Sequence, residues 1–253
     1  MDYGDMMGDA WGYAKDCTLH NPVRWIQLVI GVLLLGIPFH GYLVRVYRGT
    51  TPAPEVNRWA RLCIDGCYVL LITVVYLLPL IVAMLVIFAL VVFLALISPG
   101  GELGIAGGIL GAAFNLLTFF VQVIALVVLP AATLRYARTG IFSEAFNIPE
   151  LGATIGRIGW IAYLVAVVLL ALLIGIPVML LLFIAMFLAM AAFMMPASGI
   201  AVLAILGVLA LLALLAIPLM GTFSARYLAR VFDAAGDNPV TPAGQTGNAI
   251  NGS

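Results

Sequence analysis

Two uninterrupted apolar runs, residues 68–97 and 158–195, constrain this chain more than any other feature. Each run is longer than the roughly 20 apolar residues that an α-helix needs to cross the hydrocarbon core of a bilayer. Of the 253 residues, 65% are hydrophobic and 9% are charged, whereas an average soluble domain has about 25% charged residues. Because so few charges cannot cover a water-soluble surface, the sequence predicts an all-α, polytopic helical membrane bundle.

The apolar sequence divides into two long predicted transmembrane hairpins. Residues 68–97 lead out and 109–134 return in the first hairpin, and residues 158–190 lead out and 200–220 return in the second. The outer turns contain no basic residue, whereas the eleven Lys and Arg residues cluster near the other helix ends and in the N-terminal region. By the positive-inside rule, the basic ends and the C-terminus are predicted to be cytoplasmic at the cell membrane.

The N-terminal region precedes these hairpins and has two parts. Residues 1–24 alternate acidic with aromatic and other apolar positions, which predicts an amphipathic segment at the membrane interface. Residues 25–44 are just long enough to span, but Gly36-Ile37-Pro38 interrupts them. The segment is therefore either a first span or a broken hairpin that dips in and returns, which gives four to five spans. Residues 25–236 are expected to form one helical membrane domain, and the tail 237–253 is expected to be disordered.

A polar loop, residues 45–66, joins the N-terminal segment to the first hairpin. We interpret Glu55 as the start of a short amphipathic helix and Trp59 as an anchor at the membrane interface. Asp65 is predicted to cap a long helix that begins at Gly66 or at the residue after it. The loop would then act as a cytoplasmic elbow.

Small and polar residues recur on one face of the third apolar run. Their spacing of three and four residues places them together on a helix: Gly104, Gly108, Gly111, Asn115, Thr118 and Gln122. We expect this face to avoid lipid, because glycines allow close helix approach and Asn115, Thr118 and Gln122 can hydrogen-bond across an interface. It would form either a packing seam or the lining of a polar path.

Two pairs of arginines, each spaced three residues apart, lie at predicted membrane exits: Arg58 with Arg61, and Arg135 with Arg138. Such pairs share a helix face. They could hold the phosphate of a lipid headgroup, or they could only anchor the topology of the chain.

No nucleophile elbow, phosphate-binding loop or zinc signature occurs in the sequence, so we expect no catalytic residue, no cofactor and no metal. No acid or base falls inside the apolar hairpins, which disfavours an ion-coupled pump. The expected partners are the lipid bilayer and a membrane or cytoplasmic protein, and no nucleic acid. The sequence favours a non-enzymatic membrane protein that contacts lipid or a partner through its cytoplasmic loops, with a permease or exporter of a small or lipid-like molecule as the alternative.

Several positions from the loop onward occur in the order typical of one prokaryotic membrane family. They comprise a Gly-Tyr and an Arg before the loop, a Pro-Glu with an aromatic residue four positions later, an Asp-Gly, and later landmarks: Gly41, Tyr42, Arg45, Pro54, Glu55, Trp59, Asp65, Gly66, Tyr76, Pro79, Arg135, Tyr136, Ala137, Phe142, Ala145 and Phe146. In these positions the chain resembles the domain of unknown function 4013, which is common in archaea, from about Arg24 to Asp233. Arg58 and Arg61 stand where that family often has acidic residues. The resemblance implies a fold and a topology, and no activity.

Overall fold

The computed structural model describes residues 2–97, 104–194, 199–234 and 236. These residues form helices and loops without a strand, which confirms the all-α prediction. The predicted disordered tail, the outer turns at 98–103 and 195–198, and Met1 lie outside the described residues. The helices in chain order are α1 Tyr3–Cys17, α2 Pro22–Leu33, α3 Ile37–Tyr47, α4 Trp59–Ile97, α5 Gly104–Val123, a π-helical turn Ile124–Val128, α6 Leu129–Thr139, a 3₁₀ turn Phe142–Phe146, α7 Ile148–Ile158, α8 Trp160–Met194 and α9 Gly199–Asp233.

Four stretches of the described chain are helical, long and apolar enough to cross a membrane: Trp59–Ile97, Gly107–Thr139, Trp160–Met190 and Val202–Asp233. Helix α4 packs against α5, and α8 packs against α9, which confirms the two predicted hairpins. Helix α4 begins, α6 ends, α8 begins and α9 ends at one end of the molecule, which we call the basic end.

The N-terminal segment forms a helical hairpin of two short helices. With 12 residues, α2 is about 18 Å long, whereas the hydrocarbon core is about 30 Å thick. Leu35 and Gly36 both have positive φ angles, 59° and 71°, and end α2 shortly before Pro38, so the predicted break is present. The chain then returns towards α1, where the Cys17 Sγ lies 2.9 Å from the Tyr42 hydroxyl. This geometry matches the hairpin alternative rather than a single span.

Helix α1 packs along the last part of α9. Asp2 caps its first turn by accepting hydrogen bonds from the backbone N–H groups of Gly4 and Asp5, at 2.9 and 3.2 Å. Ala10 and Ala14 are fully buried, so the apolar stripe of α1 faces the protein. The contact of residues 1–24 with a membrane interface stays a prediction.

Helices α3 and α4 cross at two glycines. A Cβ atom added to Gly41 would lie 1.8 Å from the Leu62 carbonyl oxygen, and one added to Gly66 would lie 1.9 Å from the Ile37 carbonyl oxygen. Only glycine permits this approach. Leu62 is 0% exposed in the crossing, and its packing extends α4 towards the N-terminus.

Two predictions about the loop are therefore wrong. Helix α4 begins at half-buried Trp59, so Asp65 lies inside the helix and does not cap it. Glu55 lies in a loop instead of opening a short helix, because Arg45 donates hydrogen bonds to the backbone carbonyls of Glu55 and Asn57 and holds this segment non-helical.

A proline lies near the end of each return helix, and an aromatic side chain supports the backbone beside it. Before Pro130 the helix widens into the π-helical turn, and the Tyr163 hydroxyl donates to the carbonyl three residues earlier, at 2.7 Å. Before Pro218 the helix stays α-helical, and Trp25 Nε1 donates to the carbonyl three residues earlier, at 3.0 Å. Proline removes one N–H from the helix ladder, so these contacts stabilise loosened turns.

Candidate functional site

Arg135 and Arg138 join α6 to its neighbours. Arg135 donates to Glu144 from Nε, at 3.0 Å, and from a terminal nitrogen, and it lies 3.8 Å from Glu150. This hydrogen bond from Arg135 lowers the pKa of Glu144. Arg138, which is largely buried, donates to Asp233 at the end of α9. The pair therefore fastens the 3₁₀ turn and α9 to the end of the first hairpin.

Asp65 and Gly66 lie side by side at the crossing of α3 and α4. Asp65 is 7% exposed, and its Oδ2 atom has no hydrogen-bond partner among the described residues. Its negative charge faces Arg45 on α3 and the hydroxyl group of Tyr136 on α6. Because a buried carboxylate needs compensating charge, these contacts keep Asp65 compatible with the interior.

The polar loop after α3 is fixed by contacts from α3 and from α1. Arg45 donates to the Glu55 carbonyl at 3.0 Å and to the Asn57 side-chain oxygen at 2.9 Å. The Tyr13 hydroxyl of α1 donates to the Thr50 carbonyl at 3.1 Å. The Glu55 side chain is exposed and belongs to the wall of a cavity described below.

The polar stripe of α5 forms no packing seam among the described residues. Asn115 and Gln122 are exposed, and Thr118 is half-buried. The Asn115 side chain donates to the Gly111 carbonyl at 2.9 Å, and Thr118 donates to a carbonyl of its own helix at 2.8 Å. Asn115 and Thr118 therefore satisfy their polar groups within their own helix, and the expectation that this face avoids lipid stays a prediction.

An ion-pair cluster that sequence reasoning missed joins α1 to α9. Arg226 Nε donates to Asp9 at 2.8 Å, and Arg230 donates to the same carboxylate from two nitrogens, at 2.9 and 2.7 Å. These hydrogen bonds, the one from Arg230 first, hold the pKa of Asp9 well below its ordinary value of 3.8. The only sequence signal was an acidic helix followed, more than 200 residues later, by two arginines on one helix face.

A polar cavity of about 640 Å³ opens beside this cluster. It lies between α1, the start of α2, the loop after α3 and the end of α9, and its charged lining residues are Asp9, Asp16, Arg24, Glu55 and Arg226. The volume falls within the range of small-molecule sites in proteins.

Arg226 is the most buried charge of this cavity, at 5% exposure. Its guanidinium lies over the ring of Tyr13, 4.8 Å from the ring centre, which is a cation–π contact. Nε binds Asp9, and the two terminal nitrogens have no hydrogen-bond partner among the described residues. A buried guanidinium with unfilled donors is suited to bind a carboxylate or phosphate oxygen.

The wall behind the cavity is a row of neutral polar groups. The Tyr42 hydroxyl donates to the Pro54 carbonyl at 3.0 Å and lies beside the Cys17 thiol. Burial raises the pKa of Cys17 and of Tyr42, and it raises the pKa of Tyr13 to about 12. These three groups are therefore uncharged at neutral pH.

Other cavities also adjoin the helices. One, of about 480 Å³, is apolar and lies where α1 meets α8 and α9, with Trp11, Ile174 and Phe223 among its walls. Another, of about 230 Å³, lies between α3, α4 and α6 and includes His40, Thr73 and Thr133. The described residues contain no group of three or more His, Cys, Asp or Glu side chains that could hold a metal ion.

Four apolar helices paired into two hairpins, with charged clusters at one end, define a polytopic helical membrane protein. The chain belongs to the family described as "Protein of unknown function (DUF4013)", whose model matches residues 26–186. The match runs from α2 into α8, so it is shorter than the resemblance to Asp233 that the sequence suggested. No curated protein and no solved structure matches the chain.

Proposed function

We propose that the protein is a non-enzymatic, multi-pass protein of the cell membrane that binds a lipid headgroup in the polar cavity at its basic end. The observation that carries this proposal is Arg226, a nearly buried guanidinium whose terminal nitrogens have no partner among the described residues. Asp9 binds Arg226 through Nε, and the terminal nitrogens remain as donors for an anionic group that enters the cavity.

The position of the cavity supports a lipid rather than a soluble ligand. Trp11, which is 47% exposed, lines the adjoining apolar cavity, and Trp25 lies at the start of α2, as is typical of aromatic residues at a membrane interface. In this proposal the basic end and the C-terminus are cytoplasmic, because the basic residues avoid the outer turns.

The test is native mass spectrometry of the full chain after mild detergent extraction. We expect wild-type protein to retain phospholipid and Arg24→Gln to lose most of it, because Arg24 lines the cavity. Arg61→Gln is the matched control, since it removes the same charge from an exposed position on α4. Equal lipid retention by wild type, Arg24→Gln and Arg61→Gln would overturn the proposal.

A permease or exporter is the second candidate, and the cavity that contains His40 favours it. Ala125 and Leu129 line this cavity, and they follow Asn115, Thr118 and Gln122 along the same return helix. A solute could follow this helix towards the basic end. Flux of a small solute into liposomes that contain the wild type, and its loss in Gln122→Leu, would support transport. Wild-type flux equal to that of empty liposomes would exclude transport of that solute.

A further inference from the structure

We propose that the bound headgroup is zwitterionic: an ammonium-bearing phospholipid whose phosphate binds Arg24 and Arg226 and whose ammonium group binds Asp16 and Glu55. This inference rests on the proposed lipid-binding function and names the class of lipid. Its basis is that the polar cavity presents both signs of charge on its lining.

The positive half of the cavity consists of Arg226 and Arg24. Arg226 is held by Asp9 and by the Tyr13 ring, so its free donors keep one orientation. Arg24 lies in the first turn of α2, where Asn21 caps the helix by accepting a hydrogen bond from the Arg24 backbone N–H at 3.1 Å. Two guanidinium groups that point into one cavity can share the oxygens of a phosphate.

The negative half of the cavity is not neutralised by these arginines. Asp9 already binds Arg226 and Arg230, so its charge is neutralised and does not repel an incoming anion. Among the described residues, the Asp16 carboxylate hydrogen-bonds to His20, at 2.7 Å on the exposed side, and the Glu55 carboxylate has no partner. An anionic headgroup would meet both carboxylates without a compensating cation. A headgroup with an ammonium group supplies that cation.

The apolar cavity, which adjoins α1 one helical turn before the polar cavity, is suited to an acyl chain. Gly8 lines the apolar cavity, Gly12 lines the polar cavity, and the two glycines are one helical turn apart. An added side chain at either position would meet no atom within 4 Å, so open space adjoins both. An acyl chain can therefore pass over Gly8 and Gly12 into the apolar cavity while the headgroup stays beside Arg226.

The test measures binding of four probes to the delipidated, detergent-solubilised full chain: phosphatidylethanolamine, phosphatidylglycerol, glycerophosphoethanolamine and inorganic phosphate. We expect phosphatidylethanolamine to bind at least tenfold more tightly than phosphatidylglycerol. Glu55→Gln should weaken phosphatidylethanolamine binding several-fold and strengthen phosphatidylglycerol binding, because it removes a repulsive charge. Glu150→Gln, which makes the same change beside Arg135, is the control and should alter neither affinity.

The outcomes separate the two proposals. Equal or tighter binding of phosphatidylglycerol would overturn the zwitterionic inference and leave lipid binding intact. Binding of neither lipid would overturn the proposed function itself. Binding of glycerophosphoethanolamine or phosphate as tightly as the lipid would show a soluble ligand, and it would overturn the assignment of an acyl chain to the apolar cavity.

Discussion

The two return helices end in similar sequences with different surroundings. Each carries two arginines in its last turns, Arg135 and Arg138 on α6 and Arg226 and Arg230 on α9. The first pair binds acidic groups of adjacent elements and fastens the bundle. In the second pair, the Asp9 carboxylate binds both arginines. The terminal nitrogens of Arg226 have no hydrogen-bond partner among the described residues and lie beside the polar cavity. The role of two arginines at a membrane exit therefore depends on which acidic residues the fold places beside them.

The largest expected effect comes from disturbing the crossing that holds the cavity loop. Gly66→Ala should lower the free energy of unfolding by about 3 kcal/mol or more, because its Cβ would overlap the Ile37 carbonyl. Chemical unfolding in mixed micelles measures this loss. Gly108→Ala is the control, since open space surrounds that position, and its effect should be within about 1 kcal/mol. Equal stability of the two variants would contradict the close crossing.

Arg138→Gln tests whether the first arginine pair is structural. Removing a largely buried partner of Asp233 should cost about 2 to 3 kcal/mol of unfolding free energy. Lipid retained per folded molecule should stay at the wild-type level, as measured by native mass spectrometry. Loss of lipid with unchanged stability would reverse the roles of the two pairs.

Asp9→Asn tests the shared carboxylate of the second pair. It leaves Arg226 buried without its acid, and the expected loss is about 2 kcal/mol at pH 7 after allowance for partial solvent exposure. Because folding lowers the pKa of Asp9, its carboxylate stabilises the folded state above pH 3.8, and this stabilisation is lost as the pH falls further.

Thermal unfolding of the wild type and of Asp9→Asn at pH 7 and pH 3 checks the direction of this pH dependence. The difference in stability between wild type and Asp9→Asn should be smaller at pH 3 than at pH 7. A difference of the same size at both pH values would contradict the ion pair.

The smallest effect is expected within the second pair. Arg230 is 41% exposed at its side chain and does not line the polar cavity, so Arg230→Gln should cost about 1 kcal/mol or less. Lipid retention should be unchanged in Arg230→Gln. Arg226→Lys should reduce lipid retention, because lysine lacks the planar guanidinium group that can bind Asp9 and a phosphate at the same time. Comparable loss of lipid in both variants would show that the pair acts as one unit.

The sequence predicted the parts of the fold that depend on composition and local pattern. The apolar runs identified the two hairpins, and Gly36-Ile37-Pro38 identified the break in the N-terminal segment. The start of α4 was predicted seven or eight residues too late. Its first turns are polar on one side, and they are helical because Leu62 packs at the crossing with α3.

The candidate site depends on contacts between distant parts of the chain. The predicted pair Arg135 and Arg138 and the missed pair Arg226 and Arg230 have nearly the same local sequence signal. Glu55 was predicted to open a short helix, and only the structure brings its side chain to the same cavity as Arg226. Asp9 lies 217 residues before Arg226, and no local periodicity connects them.

The most direct test of the central claim is photo-crosslinking with a phospholipid that carries a diazirine next to its headgroup. After illumination of the full chain in nanodiscs, peptide mass spectrometry locates the attachment sites. We predict that the label is concentrated on α1 around Gly12 and Tyr13 and on the loop residues Thr51, Pro52 and Ala53, which line the polar cavity. Label concentrated at Arg135 and Arg138, or spread along the apolar faces of α4 and α5 with none on α1, would contradict a headgroup site beside Arg226.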